Sequence, residues 1–263
     1  MFKTPDGTAY SLHGLKGTHP LILIHGLGLS RQLWAPFIPA LSESFRVINY
    51  DLYGHGDSVA VSDILSLKVF SNQIVTLLNH VGEISAHIVG FSIGGMINRR
   101  FAMDYPERAR KLVILNSPHN RGNDLQDMVE ARAAKVQDQG VMATMPDALK
   151  RWFTPDYLVA ESEGTELVKD WRMQVDSESY AQAAWVLANG VRELIQSAPP
   201  LEHPTLVMTC ENDSGSTPEM ARDIATEIQW SQNIVVPKLQ HLGLMESPAA
   251  FIKPILKFLE SQT

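Results

Sequence analysis

Three residues of this sequence are of the types that serine-based nucleophilic catalysis requires: Ser92, Asp213 and His241. A serine hydroxyl is a weak nucleophile at neutral pH, so a neighbouring base must take its proton and a carboxylate must orient that base. Ser92 is the central residue of a G-x-S-x-G pentapeptide, residues 90–94, and the acid and the base follow it along the chain. The pattern predicts that Ser92 attacks a carbonyl carbon, that His241 relays the proton and that Asp213 orients His241.

The sequence on either side of Ser92 predicts a strand, a sharp turn and a helix. The apolar residues 87–89 precede the pentapeptide, and the helix-compatible residues 97–105 follow it. Glycine at positions 90 and 94 lets the backbone crowd around a strained turn, where a Cβ atom would clash. Such a turn would expose the Ser92 hydroxyl above the sheet. The alternative is an incidental serine in a glycine-rich turn, which the strand before it and the helix after it disfavour.

Short apolar runs bounded by turn residues recur along the chain, and helical patterns separate most of them. The predicted strands are 21–24, 46–50, 86–89, 111–115, 205–209 and 233–236, and the clearest helices are 71–80, 97–105 and 218–228. Alternating strands and helices predict an α/β fold with a mostly parallel sheet covered on both faces. Asp213 and His241 each follow a predicted strand, so both belong to loops at the carboxyl edge of the sheet.

Residues 119–197 interrupt this alternation because they contain amphipathic helical stretches and no convincing strand. The predicted helices are 124–139, 147–153, 165–175 and 177–187. We therefore expect a core formed by residues 1–118 and 198–263, with residues 119–197 inserted as a helical cap, or lid, over the sheet edge at which ligands bind. The alternative is a second helical layer without a functional role. In the last helix of the core, Pro254 is expected to kink or split the helix.

Attack by serine forms a negatively charged tetrahedral oxygen, which needs fixed hydrogen-bond donors. One donor is expected to be the backbone N–H of Ile93, the residue after the nucleophile. The other is expected from the glycine-rich residues 25–28 after an early predicted strand, and the N–H of Leu27 is the nominated group. The alternative for residues 25–28 is a plain glycine turn.

Two other residues compete for the role of the acid. Glu211 is close to Asp213 in sequence but lies nearer the strand, where a local structural role is the better interpretation. The other common position for the acid, after the predicted strand 111–115, holds Asn116, which cannot carry the charge. Asp213 is therefore the preferred acid.

The remaining histidines are assigned no catalytic role. His25 and His55 lie in glycine-rich turns, where structural hydrogen bonding is expected, and His119 follows a proline and has no partner that the sequence can name. The others are expected to be surface or hydrogen-bonded residues: His13, His19, His80, His87 and His203. No cluster of histidine, cysteine and carboxylate side chains has metal-ligand spacing, so we expect neither a metal nor another cofactor.

Composition limits the partners and the compartment. The formal charge of −7 and the sequence pI near 5.7 argue against a nucleic-acid partner. The single cysteine, Cys210, excludes an intramolecular disulfide and fits a buried structural thiol in a reducing compartment. Neither the N-terminal segment nor any apolar run resembles a signal or membrane-spanning segment. We therefore expect a soluble, cytoplasmic protein without a membrane partner, and the sequence leaves its oligomeric state open.

Together these residues resemble the α/β-hydrolase superfamily over nearly the whole chain. Residues 51–58 are similar to its D-x-x-G-x-G-x-S turn, residues 106–108 to its P-E-R motif, and residues 246–248 to the end of its H-x-x-x-x-E-x-P motif. Within the superfamily, the chain most resembles 3-oxoadipate enol-lactonase-like carboxylic ester hydrolases, through residues 28–34, 92–96, 151–155 and 213–219. The resemblance implies an α/β-hydrolase fold with a cap, and hydrolysis of a carboxylic ester or lactone through an acyl-enzyme.

The chain differs from typical enol-lactonases in three places. Residues 25–28 read H-G-L-G where those enzymes commonly have N-S-L-G, Cys210 replaces a glycine before the acid loop, and Gln32 stands where a basic residue is expected. These differences argue against the 3-oxoadipate lactone itself as the substrate and leave the hydrolytic chemistry intact.

Apolar residues near the catalytic loops and in the cap are the candidates for the substrate pocket. They are Leu27, Trp34, Phe91, Met96, Met142, Met145, Trp152, Trp185 and Leu242. For any single cap residue, ordinary core packing is the alternative. A cap rich in methionine and tryptophan predicts a small-molecule ester or lactone substrate of medium size and largely apolar character.

Two other functions are compatible with the same residues. The first is hydrolysis of carbon–carbon bonds in vinylogous diketones, or cyanohydrin cleavage by a hydroxynitrile-type lyase, because one fold and triad can host many chemistries. The second is a small-molecule receptor on a hydrolase fold, which the intact triad disfavours. A serine nucleophile argues against dehalogenase and epoxide hydrolase chemistry, which use an aspartate at that position in this fold.

Overall fold

The computed structural model describes residues 1–160 and 162–261, and its centre is an eight-stranded sheet. The strands are β1 (Phe2–Lys3), β2 (Ala9–His13), β3 (His19–Ile24), β4 (Phe45–Tyr50), β5 (Ala86–Phe91), β6 (Ala109–Leu115), β7 (Thr205–Cys210) and β8 (Ser231–Val236). Their order in the sheet is β1-β2-β4-β3-β5-β6-β7-β8. Strands β3 to β8 pair in parallel, whereas β1 and β2 are antiparallel additions at one edge. The predicted α/β fold with a mostly parallel sheet is confirmed.

Helices cover the sheet and its carboxyl edge. They are α1 (Ile38–Ser44), α2 (Leu67–Val81), α3 (Ile93–Asp104), α4 (Gly122–Gln139), α5 (Met145–Trp152), α6 (Pro155–Val159), α7 (Glu163–Met173), α8 (Ser177–Asn189), α9 (Pro218–Glu227), α10 (Gly243–Glu246) and α11 (Pro248–Glu260). Short 3₁₀ turns cover Arg31–Trp34, Pro106–Arg108 and Gly190–Glu193. Over the described ranges, none of the helices has the length and apolar character needed to cross a membrane.

Helix α11 continues through Pro254, so of the two predicted effects of this proline, a kink or a split, the split is wrong. An internal proline costs a helix about 3 kcal/mol, since it removes a backbone hydrogen bond and crowds the preceding turn. The buried residues of α11 are Phe251, Ile255, Phe258 and Leu259. Each large apolar side chain contributes about 1.5–3 kcal/mol on burial, so packing against the core outweighs the effect of the proline.

Both faces of the parallel sheet are buried because side chains alternate along each strand. On β3, Ile24 belongs to the apolar core on one face, which also contains Phe70 of α2. Leu23 belongs to the core on the other face, which also contains Phe251 of α11. The helices on the two faces therefore fix the sheet between them, and the loops after the parallel strands meet at one edge.

Helices α4 to α8 lie between β6 and β7 in the chain, within residues 119–197, which we call the cap segment. The described residues of this segment contain no strand, as the sequence predicted. A separate apolar cluster lies within the segment, with Ala133, Val136, Val175, Tyr180, Ala184 and Ala188 as its buried members. Leu27, from the loop after β3, packs against this cluster. The cap segment therefore has an apolar core of its own and contacts the catalytic edge.

The turn from β5 into α3 leaves no room for a side chain at its two glycines. A Cβ atom on Gly90 would collide with the backbone carbonyl of Gly94. A Cβ atom on Gly94 would come within 2.6 Å of the Ile24 carbonyl oxygen at the end of β3. Both obstacles are backbone atoms, which cannot move aside as a flexible side chain can. Glycine at these two positions therefore lets β3, β5 and α3 meet.

We expect Gly90→Ala to destabilise the protein by about 1–3 kcal/mol, the usual cost of overpacking, because the new methyl group must displace the first turn of α3. Urea unfolding followed by circular dichroism measures the change. Gly215→Ala is the matched control, since the nearest atom to its added Cβ would be 3.7 Å away. Equal unfolding midpoints for the two variants would contradict the crowding argument.

Candidate active site

Ser92 occupies a strained turn at the carboxyl end of β5. Its backbone angles are φ 57° and ψ −116°, a conformation that L-residues adopt rarely. Its N–H donates a 2.8 Å hydrogen bond to the carbonyl of Leu115 at the end of β6. Such strain costs roughly 1–3 kcal/mol and persists only where the surrounding structure enforces it. The turn has the strand-to-helix geometry of a nucleophile elbow.

Asp213 and His241 form a hydrogen-bonded pair in the loops after β7 and β8. His241 Nδ1 lies 2.6 Å from Asp213 Oδ2. Burial alone would raise the pKa of the Asp213 carboxyl. The opposing effects are larger and lower this pKa below its usual value: they are the charge and hydrogen bond of His241 and the hydrogen bonds from Asn116 and the Ser216 N–H. Asp213 therefore remains a carboxylate at neutral pH and holds His241 through Nδ1.

Asn116 is a site residue that the sequence did not assign. Its Nδ2 donates a 2.9 Å hydrogen bond to Asp213 Oδ2. The other carboxylate oxygen, Oδ1, accepts hydrogen bonds of 2.9 Å from the N–H groups of Gly215 and Ser216. Asn116 has φ 45°, a left-handed conformation that asparagine tolerates better than most residues. Asn116 directly follows β6, which neighbours β7 in the sheet. This position could have predicted a contact with Asp213, which lies in the loop after β7.

Ser92 and His241 line the same cavity. Within the described ranges, no hydrogen bond joins the Ser92 hydroxyl to His241, a contact that is often long in enzymes without substrate and tightens on binding. The His241 ring lies between two aromatic rings, with centroid distances of 5.0 Å to Phe91 and 6.4 Å to Trp152. Packing and Asp213 together therefore fix the orientation of the imidazole.

The two nominated donors for a tetrahedral oxygen flank the nucleophile. Ile93 begins α3, so its N–H is one of the donors that a helix leaves free in its first turn. Leu27 lines the cavity. In the part of the chain that the structure describes, neither N–H donates to another backbone group. Gly94 holds the two loops together because it packs against the carbonyls of Ile24 and His25.

The titratable residues to which we assigned no catalytic role are buried or hydrogen-bonded to the backbone. His25 accepts a 3.0 Å hydrogen bond from a backbone N–H, and burial lowers its pKa to about 4. Burial also lowers the pKa of His55 to about 3 and raises that of the Cys210 thiol to about 12. Glu211 accepts a 2.8 Å hydrogen bond from the Lys238 N–H. Among the described residues, no three histidine, cysteine, aspartate or glutamate side chains are placed to bind a metal.

The cavity beside Ser92 has a volume of about 120 Å³. Of the nine apolar side chains predicted to line the substrate pocket, Leu27 and Trp152 line this cavity. Trp34, Phe91, Met96, Met145 and Leu242 are buried in the apolar cores, Met142 packs partly buried against one of them, and Trp185 is 37% exposed on α8. These seven side chains do not line this cavity, because the sequence shows that a residue is apolar but not whether it packs in a core or faces a cavity.

Four arginines line the same cavity: Arg121, Arg132, Arg151 and Arg172. The sequence predicted none of them there, because the face that a cap helix turns toward the catalytic edge depends on tertiary packing. Arg121 is satisfied locally, since its guanidinium donates hydrogen bonds of 2.9 and 3.0 Å to carbonyls at the end of α8. The cavity therefore combines apolar walls with basic groups.

Hydrogen bonds join the end of α5 to the loop that carries His241. The Leu242 N–H donates to the carbonyl of Trp152 at 2.8 Å. Thr154 donates through its N–H and its hydroxyl to the two carboxylate oxygens of Glu246, at 2.9 and 2.6 Å. This part of the cap segment is therefore attached directly to the loop of the candidate base.

A parallel sheet with a nucleophile elbow, followed in the chain by an acid and a histidine in strand-end loops, defines the class of α/β hydrolases. The family model described as alpha/beta hydrolase fold matches residues 19–248, and the chain belongs to this family. The resemblance stated from the sequence is confirmed.

Relatives and solved structures agree with this assignment. The chain is 26% identical to (E)-2-((N-methylformamido)methylene)succinate hydrolase of Acinetobacter baylyi, over 92% of this chain and 90% of that protein. It is 27% identical to 3-oxoadipate enol-lactonase 2 of the same organism, over 92% of this chain and 89% of the relative. The crystal structure of the enol-lactonase from Burkholderia xenovorans LB400 has a TM-score of 0.89 at 26% identity and covers 97% of this chain and 96% of its own.

We expect Asn116→Ala to lower kcat for ester hydrolysis by about 10–100-fold, the equivalent of one hydrogen bond to a charged group. Asn116→Asp places a second carboxylate beside Asp213, which raises the pKa of Asp213. As the pH falls, this variant should therefore lose activity at a higher pH than the wild type. The pH–rate profiles of both variants measure these effects.

Asn98→Ala is the matched control, because Asn98 is also buried but donates to the carbonyls of Ile88 and Val113 inside the sheet. It should lower the unfolding midpoint and leave the pH profile in place. An unchanged profile in Asn116→Asp would show that Asn116 does not act through Asp213.

Proposed function

We propose that the protein hydrolyses a small carboxylic ester or lactone through an acyl-enzyme formed on Ser92. The observation that carries the proposal is the 2.6 Å hydrogen bond between His241 and the buried Asp213, at the edge of the cavity that Ser92 lines. An oriented base next to a strained serine is the arrangement that activates a hydroxyl nucleophile.

In the first half of the proposed reaction, His241 takes the proton of the Ser92 hydroxyl, and Ser92 Oγ attacks the ester carbonyl carbon. The N–H groups of Leu27 and Ile93 hold the negatively charged tetrahedral oxygen. Collapse of this intermediate breaks the ester C–O bond, and His241 gives its proton to the leaving oxygen. In the second half, His241 activates a water that attacks the acyl-enzyme and releases the acid and free Ser92.

Asp213 supports both halves of the reaction. Its lowered pKa keeps it negatively charged at neutral pH. The charge stabilises the imidazolium that His241 becomes each time it holds a proton, and the hydrogen bond to Nδ1 keeps Nε2 available for the reacting atoms.

The volume of the cavity limits the size of the substrate. About 120 Å³ is close to the roughly 150 Å³ of an engineered protein cavity that binds benzene. A substrate of one ring or a short chain therefore fits. The relative that is named as an enol-lactonase supports a small lactone. The relative that is named as a hydrolase of a substituted succinate supports a substrate of this size.

We expect Ser92→Ala to lower the turnover of p-nitrophenyl acetate and butyrate by at least about 1,000-fold, because no other group can form the acyl-enzyme. A serine-reactive phosphonate should give a single adduct that maps to Ser92 by intact mass and peptide mapping. Ser177→Ala, at an exposed position at the start of α8, is the matched control and should keep full activity.

The same experiment separates the competing functions. Near-normal turnover in Ser92→Ala would refute the assignment of the nucleophile. Phosphonate labelling without ester turnover would favour carbon–carbon hydrolysis or cyanohydrin cleavage by the same triad. Neither labelling nor turnover would favour a receptor on a hydrolase fold.

A further inference from the structure

Arg172 is a buried cation with unused hydrogen-bond donors. The residue is 2% exposed and lines the cavity beside Ser92. Its Nη2 donates a 2.8 Å hydrogen bond to the Thr144 hydroxyl. Its Nε and Nη1 have no acceptor in the part of the chain that the structure describes. Because a buried charged donor without a partner is destabilising, its place in the cavity indicates that a ligand supplies the acceptor.

Aromatic stacking and packing hold Arg172 in place without a counter-charge. Its guanidinium carbon lies 4.6 Å from the ring centroid of Tyr180 and 5.8 Å from that of Trp152. An added Cβ atom on Gly28 would come within 3.4 Å of Arg172 Cγ, so the stem of the arginine packs on the loop after β3. Gly28 follows the nominated oxyanion donor Leu27. Arg172 therefore lies beside the loop that carries Leu27 and lines the same cavity as Ser92.

Arg151 adds a second positive charge at this cavity. Its Nε is buried and has no acceptor among the residues described. Burial, with repulsion from Arg132 and Arg172, lowers its pKa to about 10, so it is still charged at neutral pH. Over residues 1–160 and 162–261, the ion pairs of arginine include none with Arg132, Arg151 or Arg172.

Within the described ranges, no carboxylate forms an ion pair with these arginines, although Asp213 and Asp147 attract the charge of Arg151 from further away. Asp213 is the only acidic residue among the described residues that line the cavity. Its oxygens already accept hydrogen bonds from His241, Asn116 and two backbone N–H groups. The cavity therefore carries excess positive charge. A carboxylate is the complementary ligand, because its two oxygens match the planar donors of a guanidinium.

We propose that Arg172 and Arg151 bind a carboxylate of the substrate, so that the substrate is a small ester or lactone that also carries a free carboxylate. Thr144 orients Arg172, and Arg132 adds positive charge. The substrate class rests on the proposed hydrolytic function, whereas the carboxylate site itself does not.

Two ethyl esters of matched size test the proposal. Ethyl hydrogen succinate carries a carboxylate, and ethyl succinamate carries a neutral amide in the same place. The wild type should hydrolyse the charged ester with a kcat/KM at least about tenfold higher, because a carboxylate offers two charged acceptor oxygens where the amide offers one uncharged oxygen. Arg172→Gln and Arg151→Gln should each lose about 10–100-fold on the charged ester, mainly through KM, and less than about threefold on the neutral one. Arg172→Lys should recover part of the loss.

Arg192→Gln is the matched control, because Arg192 is 64% exposed and pairs with Glu130 outside the cavity. It should leave both rates unchanged. Arg151→Gln, at a half-buried position, keeps the test valid if Arg172→Gln does not fold. Equal kcat/KM values for the two esters in the wild type, or equal losses on both esters in the variants, would overturn the proposal.

Succinate binding separates the carboxylate site from the esterase activity. In isothermal titration calorimetry, Ser92→Ala should bind succinate, and the added change Arg172→Gln should weaken binding at least about tenfold. Succinate binding without turnover of any ester would support the carboxylate site and contradict the proposed hydrolysis. Ester turnover without succinate binding would support the hydrolysis and overturn the carboxylate site.

Discussion

The catalytic edge depends on one close backbone contact, where β5 turns into α3 against the end of β3. Gly94 packs on the carbonyls of Ile24 and His25, which holds the loop of residues 25–28 beside the turn that carries Ser92. The bond from the Ser92 N–H to Leu115 ties the end of β6 to the same turn. Because β3, β5, β6 and β7 are neighbours in the sheet, this contact also sets where Asn116 and Asp213 meet. A sheet with the same strand order but a looser elbow would keep its core and lose this alignment.

Trp152 joins the cap segment to the candidate base, His241, and to Arg172. Its carbonyl accepts the Leu242 N–H next to the base, and its ring lies 6.4 Å from that of His241 and 5.8 Å from the Arg172 guanidinium carbon. The Thr154–Glu246 bonds hold the same piece of chain from the other side. A substrate group bound by the arginines therefore contacts a surface that is fixed relative to the imidazole. Positioning of this kind lowers the entropic cost of reaching the transition state.

The sequence could predict the parts of the site whose chemistry restricts both residue type and place in the chain. Ser92, Asp213 and His241 follow predicted strands, and parallel strands end at a common edge. Strands β1 and β2 were missed because they are short and lie at the sheet edge, where little apolar patterning is needed. Trp34 and Met96 were misplaced because core and cavity select the same apolar residues. Arg172 was missed because only the packing of α7 and α8 over the loop of residues 25–28 turns it toward the cavity.

The charges of the cavity explain how a small site can select its substrate. The oxygens of Asp213 are occupied by the His241 imidazole and by neutral N–H donors, so in the proposed reaction Asp213 mainly balances the charge that His241 would acquire. The guanidiniums of Arg151 and Arg172 are left for the substrate. A neutral ester would displace water from them and offer only uncharged acceptors in its place. A site built around charged hydrogen bonds rejects such analogues more strongly than an apolar pocket rejects a change of size. A carboxylate would instead neutralise positive charge that opposes proton uptake by His241. Binding of the correct substrate therefore improves the electrostatic environment of the base that acts on it.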